Sequence, residues 1–232
     1  MKKTLSLLAL LALAGMASTP AQAATHYASG MAGISWMQNI DAVNTYSGYS
    51  PEYDSSYNLG TGLNLIGAVG CDYGHTRVEA ELGYQKHDFE SMDGISWGHD
   101  QMQGDVSVSS FLVNCYYDFD LGSKVQLYAT AGVGAAHLSF NGVAPSDFTS
   151  EELFTWQEST GAWQIGAGLA VPIADHVKLD LRYRYFATTD ITLSSESFFY
   201  QAADNQDEQE SGHPVHTNVS SHSVLLGLRV EI

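Results

Sequence analysis

The segment Arg77-Val78-Glu79-Ala80-Glu81-Leu82-Gly83-Tyr84-Gln85 sets Val78, Ala80, Leu82 and Tyr84 on one face of an extended chain and mostly charges on the other. Successive side chains of a strand point to opposite faces, so this alternation reads as a strand with one apolar face. The same period returns in Lys178-Leu179-Asp180-Leu181-Arg182-Tyr183-Arg184-Tyr185, where Leu179, Leu181, Tyr183 and Tyr185 alternate with Asp180, Arg182 and Arg184. In a water-soluble sandwich the charged face would lie outside. Alternation alone does not say which face meets water, and the rest of the chain has to decide.

Three features place the charges inside a transmembrane barrel. Eight strand segments are expected, at about 26–38, 59–72, 76–88, 104–118, 125–139, 161–172, 177–187 and 219–232. Several exceed the length of about 5 to 6 residues usual in soluble proteins. The connections alternate in length: Gly74-His75, Asp118 to Lys124 and Ala174 to His176 are tight, whereas 39–58, 89–103, 140–160 and 188–218 are long and rich in Ser, Asn and Asp. Short periplasmic turns and long outer loops are the pattern of outer-membrane barrels. Finally, Arg77, Lys86, Lys124, Lys178, Arg182, Arg184 and Arg229 all fall in strands or short turns, while the long loops carry acids such as Asp41, Glu52, Asp54, Asp93, Asp100, Glu151, Asp204 and Glu210.

The amino terminus reads as a secretory signal. Lys2 and Lys3 precede an apolar run from Leu5 to Leu13, and Ala21-Gln22-Ala23 offers a small-residue cleavage site, so residues 1–23 are expected to be removed and 24–232 to form one barrel domain. The apolar run is too short to cross a bilayer as a helix, which takes about 20 residues. A mean hydropathy near zero is compatible with a barrel, because lipid-facing and interior residues average out. The 232-residue chain holds 22 Gly, 13 Tyr and 4 Trp and carries a formal charge of -17. Nucleic acid is therefore excluded as a partner on charge.

Longer motifs carry a resemblance. Leu127-Tyr128-Ala129-Thr130-Ala131-Gly132-Val133-Gly134, then Trp163-Gln164-Ile165-Gly166-Ala167-Gly168, then Leu181-Arg182-Tyr183-Arg184-Tyr185-Phe186 resemble, in order and spacing, the opacity-protein and surface-antigen family of small, OmpA-type, porin-like outer-membrane barrels. Asn114-Cys115-Tyr116-Tyr117-Asp118-Phe119 is similar to that family's fourth strand, and Ser221 to Arg229 to its last. The resemblance implies a surface role in adhesion or antigenic display in a Gram-negative outer membrane, with lipopolysaccharide, the barrel-assembly machinery and a host or surface ligand of the loops as partners. The family's last strand usually ends in an aromatic residue, and this chain departs from that with Ile232. The peptidoglycan-binding domain that some OmpA-type relatives add after the barrel is not expected here.

Several residues invite chemistry. An eight-stranded barrel is only wide enough to be filled by side chains, so Arg77, Glu79, Glu81, Asp180, Arg182, Arg184, Arg229 and Glu231 are expected to pair inside it, with a narrow porin-like channel for small solutes or ions as the alternative. His137-Leu138-Ser139 has the spacing of a His-x-Ser pair, for which Glu151, Glu152 or Glu158 would supply the third group. The family-like residues around the pair do not form a deacylase motif, and no enzyme is expected. His213, His216 and His222 stand near Asp207, Glu208 and Glu210, but His spacing alone is not a ligand set, so no metal or cofactor is expected. Thr149 and Glu152 have capping-box spacing, which suggests a short surface helix within Ser146 to Gln157. Aromatics at Tyr46, Tyr49, Tyr53, Trp97, Phe148, Phe154, Phe198, Phe199 and Tyr200 fit either a ligand surface or an interfacial girdle. Cys71 and Cys115 fall on strands two apart, about 9 to 10 Å by strand spacing, beyond the roughly 7 Å reach of a disulfide. The expectation is thus all-β: an eight-stranded antiparallel up-and-down transmembrane barrel with short periplasmic turns and four long extracellular loops.

Overall fold

The computed structural model describes residues 24–44, 53–94, 98–122, 124–146, 154–193 and 215–232. The expected signal segment, residues 1–23, lies outside them. Among the described residues twelve strands run in chain order: β1 (Thr25–Met37), β2 (Ile40–Asn44), β3 (Tyr53–Leu59), β4 (Thr61–Asp72), β5 (Thr76–Gly94), β6 (Gly98–Phe119), β7 (Gln126–Pro145), β8 (Phe154–Ala174), β9 (Val177–Thr188), β10 (Ile191–Leu193), β11 (Val215–Thr217) and β12 (Ser220–Glu231).

Eight of these close a ring in the order β1-β4-β5-β6-β7-β8-β9-β12 and back to β1, every pair antiparallel. Closure is made by β1, whose Met31 lies opposite Ile66 of β4 on one side and Gly227 of β12 on the other. Neither neighbour leaves a sheet edge in the bilayer, where an unpaired backbone group would cost several kcal/mol. The four remaining strands extend the wall outward, in the order β10-β11-β2-β3 beside β5.

At the periplasmic end the turns are built by short Asp side chains. Asp72 Oδ1 accepts from the Gly74 backbone N–H at 2.8 Å, and Asp120 Oδ1 accepts from that of Gly122 at 2.9 Å. Both glycines have positive φ, 96° and 62°, which a residue with a Cβ adopts only at a cost.

The eight expected segments coincide with the ring, but the outer connections differ. The segment 89–103, expected as a loop, is strand up to Gly94 and again from Gly98, with 95–97 outside the described residues, and 140–160 is strand up to Pro145 and again from Phe154. The expected helix fails over Phe154–Gln157, which belong to β8; residues 147–153 lie outside the described ones. The reason is visible in β5. Up to Tyr84 its outward residues are apolar and its inward ones polar. From Lys86 the outward residues are Lys86, Asp88 and Glu90, while Phe89 is buried inside. Water has replaced lipid outside, so the strand continues with its faces exchanged. A bulge between Asp88 and Ser91 marks the same level, as bulges do where a wall bends.

Aromatic residues ring the lipid-facing band. Trp163, Tyr185, Tyr183 and His222 stack toward its outer end, with ring centroids 4.9 to 6.0 Å apart, and Tyr117 and Phe119 pair at the inner end. Cys71 on β4 and Cys115 on β6 are both opposite Val78 of β5, so one strand separates them, and both thiols are free. Unfolding in the absence of reductant is therefore expected to expose two titratable thiols per chain. A count of zero by thiol reagent would contradict the register of β4, β5 and β6.

Candidate functional site

The lumen contains two stacked layers of different chemistry. The inner layer is charged. Arg77 donates through Nε to Asp118 Oδ2 at 2.8 Å and through Nη2 to Oδ1 at 2.9 Å, a two-pronged pair. Its guanidinium lies 4.2 Å from the ring of Tyr116 and 4.9 Å from that of Tyr128. Tyr27 and Tyr116 donate their hydroxyls to the two oxygens of Glu79, at 3.1 and 2.6 Å. Across the barrel, Glu81 on β5 receives Arg182 Nη1 at 3.1 Å and Asn114 Nδ2 at 2.8 Å, and its other oxygen stands 3.3 Å from Arg184 Nη2. Gln164 Nε2 donates to Asn114 Oδ1 at 2.6 Å. Tyr128 donates to Asp180, and Arg229 Nη2 to Gln126 Oε1 at 2.7 Å.

Four guanidinium groups (Arg77, Arg182, Arg184, Arg229) and four carboxylates (Glu79, Glu81, Asp118, Asp180) are buried here. The set is neutral in a chain whose formal charge is -17. A buried charge without a partner is very costly, so the acid excess is carried outside the lumen.

The outer layer is apolar. Met37 at the end of β1 and Ile40 at the start of β2 join Val106, Leu138, Phe140 and Phe186, which project inward from β6, β7 and β9, in one buried cluster. Phe140 stacks against Phe89 at 6.4 Å and Trp156 at 5.5 Å. Between the layers His87 is held at both ring nitrogens, Nδ1 2.9 Å from the Gly60 carbonyl and Nε2 2.8 Å from Ser35 Oγ. Ser221 donates to Gln85 at 2.8 Å, and Asn64 to Ser223 at 2.9 Å. The charged layer is thus capped by packed hydrocarbon.

Seven of the eight charges expected inside are there. Glu231 is the exception: it sits at the periplasmic rim, partly exposed, paired with Lys178 at 3.0 Å. The strand ends there, and the carboxylate reaches water. Asp118, read as the start of a turn, is instead the partner of Arg77. Asn114, Tyr116 and Asp118 were readable as the alternating inward positions of Asn114-Cys115-Tyr116-Tyr117-Asp118, but the cross-barrel assignment of each to a partner was not.

The other candidates do not assemble. His137 is exposed on the outer face of β7, 3.0 Å from Ser159 Oγ, while Ser139 Oγ donates to Asn141 at 3.3 Å. Glu158 stands opposite Leu138, whose side chain is in the apolar layer, so it is on the other face of the wall from His137. Glu151 and Glu152 lie outside the described residues. His222 is engaged at both nitrogens, 2.6 Å from the Tyr183 hydroxyl and 3.4 Å from Gln38 Nε2. The side chains of His213 and His216, with Asp207, Glu208 and Glu210, lie outside the described residues, among which no cluster of metal-ligating groups occurs. The loop aromatics Tyr46, Tyr49, Trp97, Phe148, Phe198, Phe199 and Tyr200 also lie outside them, and Tyr53 and Phe154 fall at strand ends.

The sequence profile of the outer membrane protein beta-barrel domain matches residues 7–229. The chain belongs to the outer membrane protein β-barrel family. Its place is the bacterial outer membrane, in agreement with the closed ring and aromatic bands. Among relatives of this family, outer membrane protein PagN of Salmonella typhimurium is 25% identical over 140 residues, spanning 59% of this chain and 56% of PagN. The chain thus covers little more than half the length of that relative. The fold is similar to that of outer membrane protein OprG from Pseudomonas aeruginosa, with a TM-score of 0.54 at 12% identity over 91% of this chain and 97% of that one. It is also similar to Neisserial surface protein A, with a TM-score of 0.51 at 15% identity over 89% and 97%.

Removing Glu81 leaves Arg182 and Arg184 facing each other in the lumen. Glu81→Ala is expected to lower unfolding stability by roughly 3–5 kcal/mol, read by denaturant titration in detergent. Arg184→Met added to it should recover part of the loss.

Proposed function

We propose that the protein is a non-catalytic outer-membrane surface protein, in which a closed and filled barrel holds an outer tower of strands for contact with an external ligand. The observation that carries this reading is the exchange of faces above Tyr84. The tower has its own apolar core, so its rigidity does not depend on the bilayer, and its outer surface is left free for polar recognition. The resemblance to surface antigens points the same way, toward adhesion or antigenic display. A surplus of acid outside the lumen favours basic or cation-bridged partners by charge sign.

The competing reading is a narrow channel through the charged layer. The apolar cap above that layer weighs against it, because passage of an ion would require wetting packed side chains. Export with loss of residues 1–23 belongs to the same proposal, and intact-mass analysis of outer-membrane protein should give a chain starting at Ala24.

Strand pairing suggests a clean test. Leu193 of β10 lies opposite Val215 of β11, so residues 194–214 are replaceable by an Asn-Gly turn that closes a tight hairpin. In a non-adherent bacterial host, the full chain should confer attachment to host-cell surfaces. Replacement of 194–214, alone or with 95–97 and 147–153, should reduce attachment while heat-modifiable migration persists. Unchanged attachment with all three segments and 45–52 replaced would remove the adhesion reading, and stepwise conductance of the full chain in planar bilayers would favour the channel.

A further inference from the structure

Above the closed ring the wall is split along one line. In the ring β8 pairs with β7 on one side and β9 on the other, and on the second side the outermost backbone bond runs from the Thr189 N–H to the Gly161 carbonyl at 2.8 Å. The hydroxyls of Thr160 and Thr189 meet at 2.7 Å at the same point. Beyond it β8 runs on outward to Phe154 along β7 alone, while β10 pairs with β11, Ile191 lying opposite Thr217. Among the described residues, neither 154–160 of β8 nor Ile191–Leu193 of β10 has a strand partner on the edge that faces the split.

The β8 edge lacks the common guards of an exposed strand. Residues 154–160 read Phe-Thr-Trp-Gln-Glu-Ser-Thr, without the lysine, proline or bulge that blunts such edges. Trp156 and Glu158 point inward. Trp156 is half-buried and stacks on Phe140 with ring centroids 5.5 Å apart. Glu158 is half-buried on the same face, opposite Leu138 of the apolar layer. Among the described residues no ion pair or hydrogen bond engages its carboxylate. Asp190, at the foot of the opposite edge, adds a second acid.

We infer that this edge docks an extended peptide of an external protein, added as a strand beside β8, with a basic residue facing Glu158 and an apolar one facing Trp156. In strand addition the main-chain hydrogen bonds give affinity and the alternate side chains give specificity. The unpaired carboxylate selects the occupant, because opposite charges on facing residues of a strand pair attract and like charges repel. A second copy of this chain pairing through the same edge would bring one Glu158 close to the other, so charge rejects self-association. The inference rests on the surface-contact reading above and gives the external ligand its chemistry.

The test uses the full barrel in detergent and a fluorescent peptide, Thr-Thr-Lys-Thr-Val-Thr-Val, which laid antiparallel to β8 sets Lys opposite Glu158 and Val opposite Trp156. It should bind saturably, one per barrel. A Gln in place of the peptide's Lys should weaken binding about tenfold, the low end for a close charge pair across an interface. Glu158→Gln, with heat-modifiable migration unchanged, should weaken the Lys peptide by the same factor and leave the Gln peptide unaffected. Methylating the peptide's backbone nitrogens removes strand donors without changing charge, and should abolish binding. Absence of binding, binding that tolerates methylation, or binding indifferent to both charge changes overturns the inference. Binding that appears only after 194–214 are replaced by the Asn-Gly turn also overturns it, and assigns the edge to this chain's own segment. Cell attachment that persists without peptide binding removes the edge site and leaves the surface role standing, so the two readings fail separately.

Discussion

Backbone satisfaction in hydrocarbon is the constraint from which the rest of this structure follows. A strand in lipid has no water to bond its free edge, so β1 must pair on both sides, and it does so with β4 and β12. Closing at eight strands makes the lumen narrow, and a narrow lumen is filled by its own side chains. Charged side chains so enclosed must neutralise one another. That is why four guanidinium groups and four carboxylates meet across β5, β6, β9 and β12, with tyrosine hydroxyls donating to Glu79 and Asn114 sharing a Glu81 oxygen with Arg182. The filled lumen is thus a consequence of closure.

The outer end obeys the same physics with the solvents exchanged. Once the wall rises beyond the bilayer, its exterior meets water and its interior need not be polar. The hydrophobic effect then acts inward, as in a soluble barrel. Phe89, Leu138 and Phe140 occupy positions in the lumen that, lower down, belong to Glu79, Glu81 and Asn114. His87, tied to Ser35 and Gly60, sits where the regimes meet. The outcome is one continuous wall with two cores, whose outer face turns polar from Lys86 through Asp88 and Glu90.

Charge distribution gives that surface its character. The lumen absorbs four of the seven basic residues that follow residue 23 and matches them with four carboxylates, so the net charge of -19 left by the 7 basic and 26 acidic residues after residue 23 is borne elsewhere in the chain.

The period of two in Arg77–Gln85 and Lys178–Tyr185, with alternating short and long connections, was enough to read eight strands, their order and the inward direction of the charges. Strand alternation is local and survives in the sequence whatever the partner strand is. The strand ends at 89–94, 98–103, 140–145 and 154–160 were not readable as transmembrane-type strands, because the apolar face there had moved to the inside. Nor were the pairings of Arg77 with Asp118 or Glu81 with Arg184, the rim position of Glu231, or the separation of His137 from Glu158 across the wall. These depend on register and on the tilt of strands round a closed ring, which bring together residues far apart in the chain. Local alternation determined which face each side chain takes; only closure of the barrel decided which side chains meet.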